Sequence, residues 1–184
     1  MNELRVMAGK NKGVSLRVPE SARPMTSRVK GVIFDILMNH IKGAKVLDLF
    51  AGSGNIGIEA LSRGANYSVF VDHNTESVKL INSNLKKIKA EENSNVHQID
   101  YKIFLKKTDE KFDLIFIDPP FDFIEKVNLR LLPRILEKDG IIILKINTNN
   151  VIKIPKELEI NYEKELGKNK ILFMTFQNQR TTKS

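Results

Sequence analysis

Residues 44–72 read AKVLDLFAGSGNIGIEALSRGANYSVFVD, and they decide the fold. A short apolar strand runs into a glycine-rich turn at Gly52 and Gly54, a helix over residues 55–64 follows, and a second strand occupies residues 67–72. This order of strand, turn, helix and strand is typical of an α/β protein with a parallel sheet, in which ligands bind beyond the carboxyl ends of the strands.

The same alternation continues along the rest of the chain. Continuous apolar strands separated by amphipathic helices predict a parallel sheet covered on both faces. The last two strands are joined by a short turn and predict an antiparallel hairpin on the sheet edge. The predicted helices are 75–90, 101–107 and 124–140, and the predicted strands are 95–99, 112–118, 141–146, 157–166 and 169–177.

The stretch before residue 27 has a different character. LRVMAG and VSLRVP predict two short strands around the turn GKNKG, and the Pro/Ser-rich SARPMTSRV separates them from the body of the chain. We therefore expect a β-hairpin extension and linker over 1–26 and one main domain over 27–184. Ser27 is the predicted cap of the first long helix, whose buried face is formed by Val29, Val32, Ile33, Ile36, Leu37 and Ile41.

Composition narrows the class of protein. The formal net charge is +8, and residues 1–45 hold nine Lys/Arg against three acids. Such a basic segment suits a phosphate-rich partner such as nucleic acid, although lysine-rich solvated faces are also common. There is no cysteine, and no stretch is apolar enough for a signal peptide or membrane span. We expect a soluble, cytoplasmic monomer with no metal site and no obligate protein partner.

Acidic residues stand at the ends of the predicted strands. Asp72 follows Gly52 by 20 residues and suits a ribose diol, or the cap of the next helix. Asp100 suits an exocyclic amine of a base, or again a helix cap. The fourth strand ends in Asp118-Pro119-Pro120-Phe121, an acid followed by two residues without an N–H and then by an aromatic ring. A plain strand end is the alternative for Asp118.

The string from Gly52 to Gly57 also matches G-x-G-x-x-G, the dinucleotide fingerprint, with an acid about 20 residues on. An NAD-dependent enzyme is therefore a rival interpretation. Asp48 before the glycines, the terminal hairpin and the Asp118 motif all count against it.

Four motifs follow one another along nearly the whole chain: LRVMAGKNKG, RPMTSRVKGVIFDIL, DLFAGSGNIGIEALSRGA and DPPF. In sequence and order they resemble the motifs of the bacterial 16S rRNA (guanine-N2)-methyltransferases of the RsmD type. The resemblance implies a Rossmann-like class I methyltransferase fold with a mostly parallel seven-stranded sheet. It also implies methyl transfer from S-adenosylmethionine, which yields S-adenosylhomocysteine, to the N2 amine of a guanine in 16S rRNA, within small ribosomal subunit particles.

The resemblance also implies roles for individual residues. The catalytic set is Asp118, Pro119, Pro120 and Phe121. The cofactor set is Asp48, Phe50, Ala51, Gly52, Ser53, Gly54, Asn55, Asp72, His73, Asp100 and Tyr101. The basic charge of the N-terminal hairpin and linker adds an expected RNA-binding set, which is Arg5, Lys10, Lys12, Arg23, Thr26 and Arg28; loop packing is the alternative for Arg23, Thr26 and Arg28.

The chemistry of an exocyclic amine explains the Asp118 motif. Its nitrogen is a poor nucleophile because its lone pair is delocalised into the ring. Acceptors at Asp118 and at the Pro119 carbonyl would hold the two N–H groups, and Phe121 would stack on the base. Adenine or cytosine amines of another RNA or of DNA fit this motif equally, and a non-catalytic RNA assembly factor is the alternative from a different class.

Four positions depart from the family pattern. Met25, Ser27 and Gly31 stand where the family usually has Thr, Asp and Glu. Lys145, at the end of the fifth strand of the main sheet, stands where the family usually has an acid.

Overall fold

The computed structural model of the chain describes residues 3–19, 25–120, 123–124 and 127–177. Its helices are α1 (Ser27–Ile36), α2 (Asn55–Ser62), α3 (Thr75–Lys87) and α4 (Tyr101–Lys107). Its strands are β1 (Glu3–Arg5), β2 (Ser15–Arg17), β3 (Lys45–Leu49), β4 (Tyr67–Asp72), β5 (Ser94–Gln98), β6 (Phe112–Ile117), β7 (Leu136–Asn147), β8 (Leu158–Leu166) and β9 (Asn169–Phe176). Within these ranges no helix is long and apolar enough to cross a membrane.

Seven strands form one sheet in the order β5-β4-β3-β6-β7-β9-β8. The strands from β5 to β7 in this order are parallel, and β9 is antiparallel to both β7 and β8. The strand order reverses beside β3, because the chain first adds β4 on one side and later β6 on the other. The predicted fold class, with its terminal antiparallel hairpin, is confirmed.

Helices and turns cover both faces of the sheet. On one face Leu49 and Ile115 belong to a buried cluster with Phe104 of α4. On the other face Val46 and Phe116 belong to a cluster with residues of α1 and α2. Two-sided burial explains why apolar residues follow one another along these strands instead of alternating with polar ones.

The predicted helix over 124–140 is wrong. The chain makes two short 3-10 turns, Leu129–Leu131 and Pro133–Ile135, and β7 already begins at Leu136. Pro133 explains the break, because a proline inside an α-helix removes a hydrogen bond and clashes with the preceding turn. At the first position of a short turn the missing N–H costs nothing.

Helix α1 begins where the sequence indicates, but with a different cap. Thr26 is the cap residue, and its Oγ1 accepts from the N–H of Val29 at 3.4 Å, so the prediction of Ser27 as cap is wrong. The apolar stripe is mostly buried as expected, except that Ile36 is 37% exposed. The α-helix ends at Ile36, yet Leu37 and Ile41 beyond it remain buried.

The hairpin of β1 and β2 packs on the main sheet's helices. Val6 and Leu16 are buried in a cluster with Ile58 of α2 and Ile81 of α3. The hairpin therefore shares a core with α2 and α3 of the main sheet. The division of the chain at residues 26 and 27 stays a prediction.

Candidate active site

Three carboxylates meet at the reversal of the strand order. Asp48 lies in β3, Asp72 ends β4, and Asp118 directly follows β6. These strands are parallel neighbours, so their carboxyl ends form one edge of the sheet. This is the edge at which open α/β sheets bind ligands.

A strained loop joins β3 to α2. Phe50, Gly52 and Gly54 all have positive φ, at +86°, +56° and +75°. Asp72 fixes this loop, because its Oδ2 accepts from the N–H of Gly52 at 2.8 Å while its Oδ1 accepts from Asn74 at 2.8 Å. Asn74 is the cap of α3, so the alternative that Asp72 caps that helix is wrong.

The third glycine of the loop motif serves packing. A Cβ on Gly57 would lie 2.3 Å from the ring of Phe70 and 2.6 Å from Oγ of Ser68. Only glycine lets the first turn of α2 approach β4 this closely. The G-x-G-x-x-G match is thus satisfied by helix–strand packing and does not by itself indicate a dinucleotide.

Asp48 forms a hydrogen bond with the first turn of α2. Its side chain is 2% exposed, and its Oδ2 accepts from the N–H of Gly57 at 3.0 Å. Burial raises the pKa of Asp48 to about 8; the Gly57 hydrogen bond opposes the rise, and the charges of Asp118 and Asp72 add to it. Because Asp48 binds an N–H group in the first turn of α2, we infer that it holds the glycine loop in place.

The other loop residues are enclosed. Ala51 is buried and donates its N–H to the carbonyl of Val71 at 3.0 Å. Ser53 is buried too, and its carbonyl accepts from Nδ2 of Asn84 at 3.0 Å. Asn84 also binds both backbone groups of Arg17, which ties the loop to the hairpin. Sequence reasoning missed Asn84, since an Asn within a helix carries no signal of burial.

An apolar pocket of about 170 Å³ opens beside the loop. Phe50, Tyr101 and Phe123 form an aromatic cluster with ring centroids 4.9–5.9 Å apart. Two acidic residues, Asp72 and Asp100, are among the residues that line the pocket. The lining residues are Phe50, Val71, Asp72, His73, Ile99, Asp100, Tyr101, Pro120 and Phe123. An apolar slot with two acceptors is suited to a nucleoside.

Five residues predicted to bind the cofactor therefore share this pocket: Phe50, Asp72, His73, Asp100 and Tyr101. Asp100 also caps α4, because its Oδ1 accepts from Lys102 at 2.8 Å and Ile103 at 3.3 Å. The cap interpretation is thus confirmed, and it is compatible with a place on the pocket wall. Val71 and Ile99 were missed, although each directly precedes an acid that was selected.

A buried charge cluster lies behind the loop. Lys30 of α1 donates to Oδ1 of Asn55 at 2.7 Å and pairs with Glu59 of α2 at 2.8 Å. Asn55 is 5% exposed, and its Nδ2 has no hydrogen-bond partner within the described part of the chain. Lys30 was missed because a lysine in a helix is ordinarily solvated.

Asp118 is paired with a lysine. Its Oδ1 lies 2.5 Å from Nζ of Lys145, and the side chains of the two residues are 19% and 11% exposed. Burial raises the pKa of Asp118, and the charge and hydrogen bond of Lys145 oppose the rise. Pro119 is buried and Pro120 exposed, whereas Phe121 lies outside the described residues.

The side chains predicted to contact RNA are exposed wherever the structure describes them. They are Arg5, Lys10, Lys12, Thr26 and Arg28. Arg23 lies outside the described residues.

These residues are spread along α2. Lys30 contacts both Asn55 and the carbonyl of Arg5, at 3.3 Å, so Arg5 lies near the start of α2 and the glycine loop. The N–H of Lys10 binds the carbonyl of Ser62 at 2.8 Å, at the other end of that helix. The eight residues of α2 span about 12 Å. The turn between β1 and β2, which contains Lys10, therefore lies toward the amino ends of the parallel strands, away from the glycine loop.

Comparison with known proteins agrees with this architecture. A family model described as conserved hypothetical protein 95 matches residues 4–175. The ribosomal RNA small subunit methyltransferase D of Buchnera aphidicola (strain APS) is 30% identical over 171 residues, covering 90% of this chain and 88% of the relative. YlbH of Bacillus subtilis is 38% identical over 148 residues, covering 76% and 80%.

Solved structures match over nearly the whole chain. That of yhhF from Escherichia coli has a TM-score of 0.87 at 28% identity, covering 97% of this chain and all of the other. A protein of Thermus thermophilus has a TM-score of 0.82 at 27% identity, covering 94% and 99%.

Proposed function

The chain belongs to the family described as conserved hypothetical protein 95, and we propose that it methylates the exocyclic N2 amine of a guanine in small-subunit ribosomal RNA. The observation that carries the proposal is the position of Asp118 and Pro119 at the open end of β6, beside the pocket and the glycine loop. Asp118 and Pro119 offer two acceptors to an amine substrate, because the prolines have no N–H to compete and Lys145 occupies only Oδ1 of Asp118.

The residues present fit S-adenosylmethionine as the methyl donor, which supplies a methyl group on a positively charged sulfur. Phe50 and Tyr101 offer an apolar slot for a base, and Asp72 and Asp100 offer acceptors for a ribose and an amine. The cap residue of α2 is Gly54, which has no side chain to cap the helix, and the unpartnered Nδ2 of Asn55 lies there; among the N–H groups of the first turn, that of Gly57 already binds Asp48. The free N–H groups of that helix start would stabilise the carboxylate in the amino-acid part of the methyl donor.

Asp118 and Pro119 then orient the substrate amine. One N–H binds the Asp118 carboxylate and the other binds the Pro119 carbonyl, so the nitrogen lone pair is directed at the methyl carbon. Methyl transfer would form the nitrogen–carbon bond as the carbon–sulfur bond breaks, would leave S-adenosylhomocysteine, and would be followed by loss of a proton from the nitrogen to solvent. Asp118 acts by positioning and electrostatics and need not be a strong base.

Phe121 is assigned the stacking contact with the guanine. This role rests on the sequence motif, and a base–aromatic contact of this kind contributes about 1–3 kcal/mol. An unstacked base is required, because an amine within a duplex cannot reach the site.

The RNA is assigned to the basic segment at the start of the chain. Arg5 and Arg28 are exposed and lie near the start of α2. Lys30, two residues after Arg28 in α1, binds both the carbonyl of Arg5 and the side chain of Asn55 at that start. Arg23, Thr26, Lys10 and Lys12 complete the proposed RNA set. Ribosomal RNA is favoured over DNA by the motifs at residues 23–37 and by the similarity to the ribosomal RNA small subunit methyltransferase D of Buchnera.

Transfer of a labelled methyl group tests the proposal. The protein is incubated with labelled S-adenosylmethionine and either small ribosomal subunits or bare RNA from cells without this modification, and the RNA is digested to nucleosides. Label in N2-methylguanosine is expected, with subunits the better substrate. Label in N6-methyladenosine or a methylcytidine alone would favour the alternative amine and contradict the proposal.

A further inference from the structure

We propose that Lys145 is a positioning residue that keeps Asp118 an ionised acceptor and occupies its Oδ1, so that Oδ2 serves the substrate amine. This inference rests on the proposed function and assigns a role to a residue outside the motifs that the sequence analysis selected.

The sheet places these two residues side by side. Strands β6 and β7 are parallel, and Ile117 is paired with Leu144. Asp118 and Lys145 are the next residues on each strand, and their side chains meet at 2.5 Å. The contact is thus built into the sheet register and does not depend on a surface loop.

Partial burial strengthens the electrostatic interaction between Lys145 and Asp118. Lys145 is 11% exposed and Asp118 19% exposed, so water screens the pair far less than it screens a surface pair. A partly buried carboxylate with a hydrogen-bonded cation is held in a fixed direction. The geometry therefore restricts which oxygen of Asp118 is open to a substrate.

Burial explains why a cation is needed. Asp48 on β3, with its pKa raised to about 8, is mostly neutral at neutral pH, and Asp72 on β4 is the other carboxyl group at the same edge. Burial works toward protonation of Asp118, and Lys145 on β7 works against it. A protonated carboxyl could donate to the amine nitrogen and so occupy the lone pair that must attack.

Removing the charge should therefore change the pH dependence. Without Lys145 the pKa of Asp118 rises further, so activity that needs its ionised form is lost at a higher pH as the solution is acidified. We expect Lys145→Met to lose about tenfold or more in kcat/KM at mildly acidic pH and much less at mildly basic pH. Lys145→Arg should stay close to the wild-type profile.

A matched control is available at the opposite edge of the sheet. Lys45 begins β3 and pairs with Glu110 at 2.8 Å, but both side chains are more than a third exposed. Lys45→Met should leave the pH profile unchanged. Affinity for S-adenosylhomocysteine, measured by calorimetry, should be similar in all variants and shows that each is folded.

A second readout does not need turnover. Carbon-13 labelling of aspartate carboxyls allows the titration of Asp118 to be followed by NMR, with Asp118→Asn identifying its signal. We expect this titration to move to higher pH in Lys145→Met than in wild type. An unchanged titration and an unchanged acid limb would overturn the inference.

The two proposals fail in different ways. If wild-type protein forms no N2-methylguanosine, the proposed function is wrong, and the NMR titration still decides whether Lys145 controls Asp118. If wild-type protein is active and Lys145→Met follows the same pH profile, the inference alone is wrong.

Discussion

Substituting Gln for Glu59 should cost roughly 3–5 kcal/mol of unfolding free energy, because the ammonium of Lys30 then stays buried without its counter-charge. The two side chains are 0% and 2% exposed and meet at 2.8 Å. Glu59 also accepts from Arg63 at 2.8 Å and from the N–H groups of Met7 and Ala8 at 2.9 and 3.1 Å. One carboxylate thus joins α1, α2 and the N-terminal hairpin.

Urea unfolding followed by circular dichroism measures this cost. At roughly 2–4 °C per kcal/mol for a chain of this size, the melting temperature should fall by about 10 °C. In a double-mutant cycle with Lys30→Met, the coupling energy should be about 0.5–3 kcal/mol. The half-exposed Lys45–Glu110 pair is the control, and Lys45→Met should cost no more than about 1 kcal/mol.

The pH dependence has a defined sign. Burial alone would raise the pKa of Glu59, but the hydrogen bonds from Lys30, Met7 and Arg63 outweigh it and hold the pKa below its usual value. Its contribution is therefore present above the pKa of the unfolded chain and is lost as the pH falls through the lower folded value. The reasoning is refuted if Glu59→Gln is as mild as Lys45→Met, or if the difference from wild type does not shrink in acid.

Three further predictions concern other parts of the chain. Gly57→Ala should destabilise the protein by about 1–3 kcal/mol in urea unfolding, because its Cβ would lie 2.3 Å from Phe70; a neutral effect would contradict the packing role. Asp48→Asn should gain stability relative to wild type as the pH rises from that of an ordinary carboxyl toward about 8, since the raised pKa of Asp48 favours its neutral form; parallel stability curves would count against this. Arg28→Ala should weaken RNA binding and lower its salt dependence more than Lys12→Ala, given their places at the two ends of α2; equal effects in a filter-binding titration would remove the distinction.

The order of elements was largely readable from the sequence. Apolar strands alternating with amphipathic helices were sufficient, because two-sided burial leaves a mostly apolar signal in the central parallel strands. The helical pattern over 124–140 failed at Pro133, whose backbone restriction outweighed the apolar spacing around it. The positive φ of Phe50 was also missed, since a non-glycine residue gives no local sign of that conformation.

The acids of the site were predictable, but their partners were not. Asp48, Asp72 and Asp118 stand at strand ends, and parallel strands bring such positions to one edge. Lys30 and Lys145 are buried against acids more than twenty residues away, and only the folded register brings these partners together. Most lysine side chains are exposed to solvent, so a buried lysine cannot be recognised from the sequence before its acidic partner is known.

The rate of methyl transfer with Asp118 removed tests the central claim most directly. Wild type and Asp118→Ala, each saturated with labelled S-adenosylmethionine, are mixed with small ribosomal subunits, and N2-methylguanosine is measured in a single turnover. We predict that wild type forms this nucleoside and that Asp118→Ala binds S-adenosylhomocysteine normally but is slower by about 10²-fold or more. Equal rates, or no N2-methylguanosine from wild type, would contradict the proposed role of the Asp118 site.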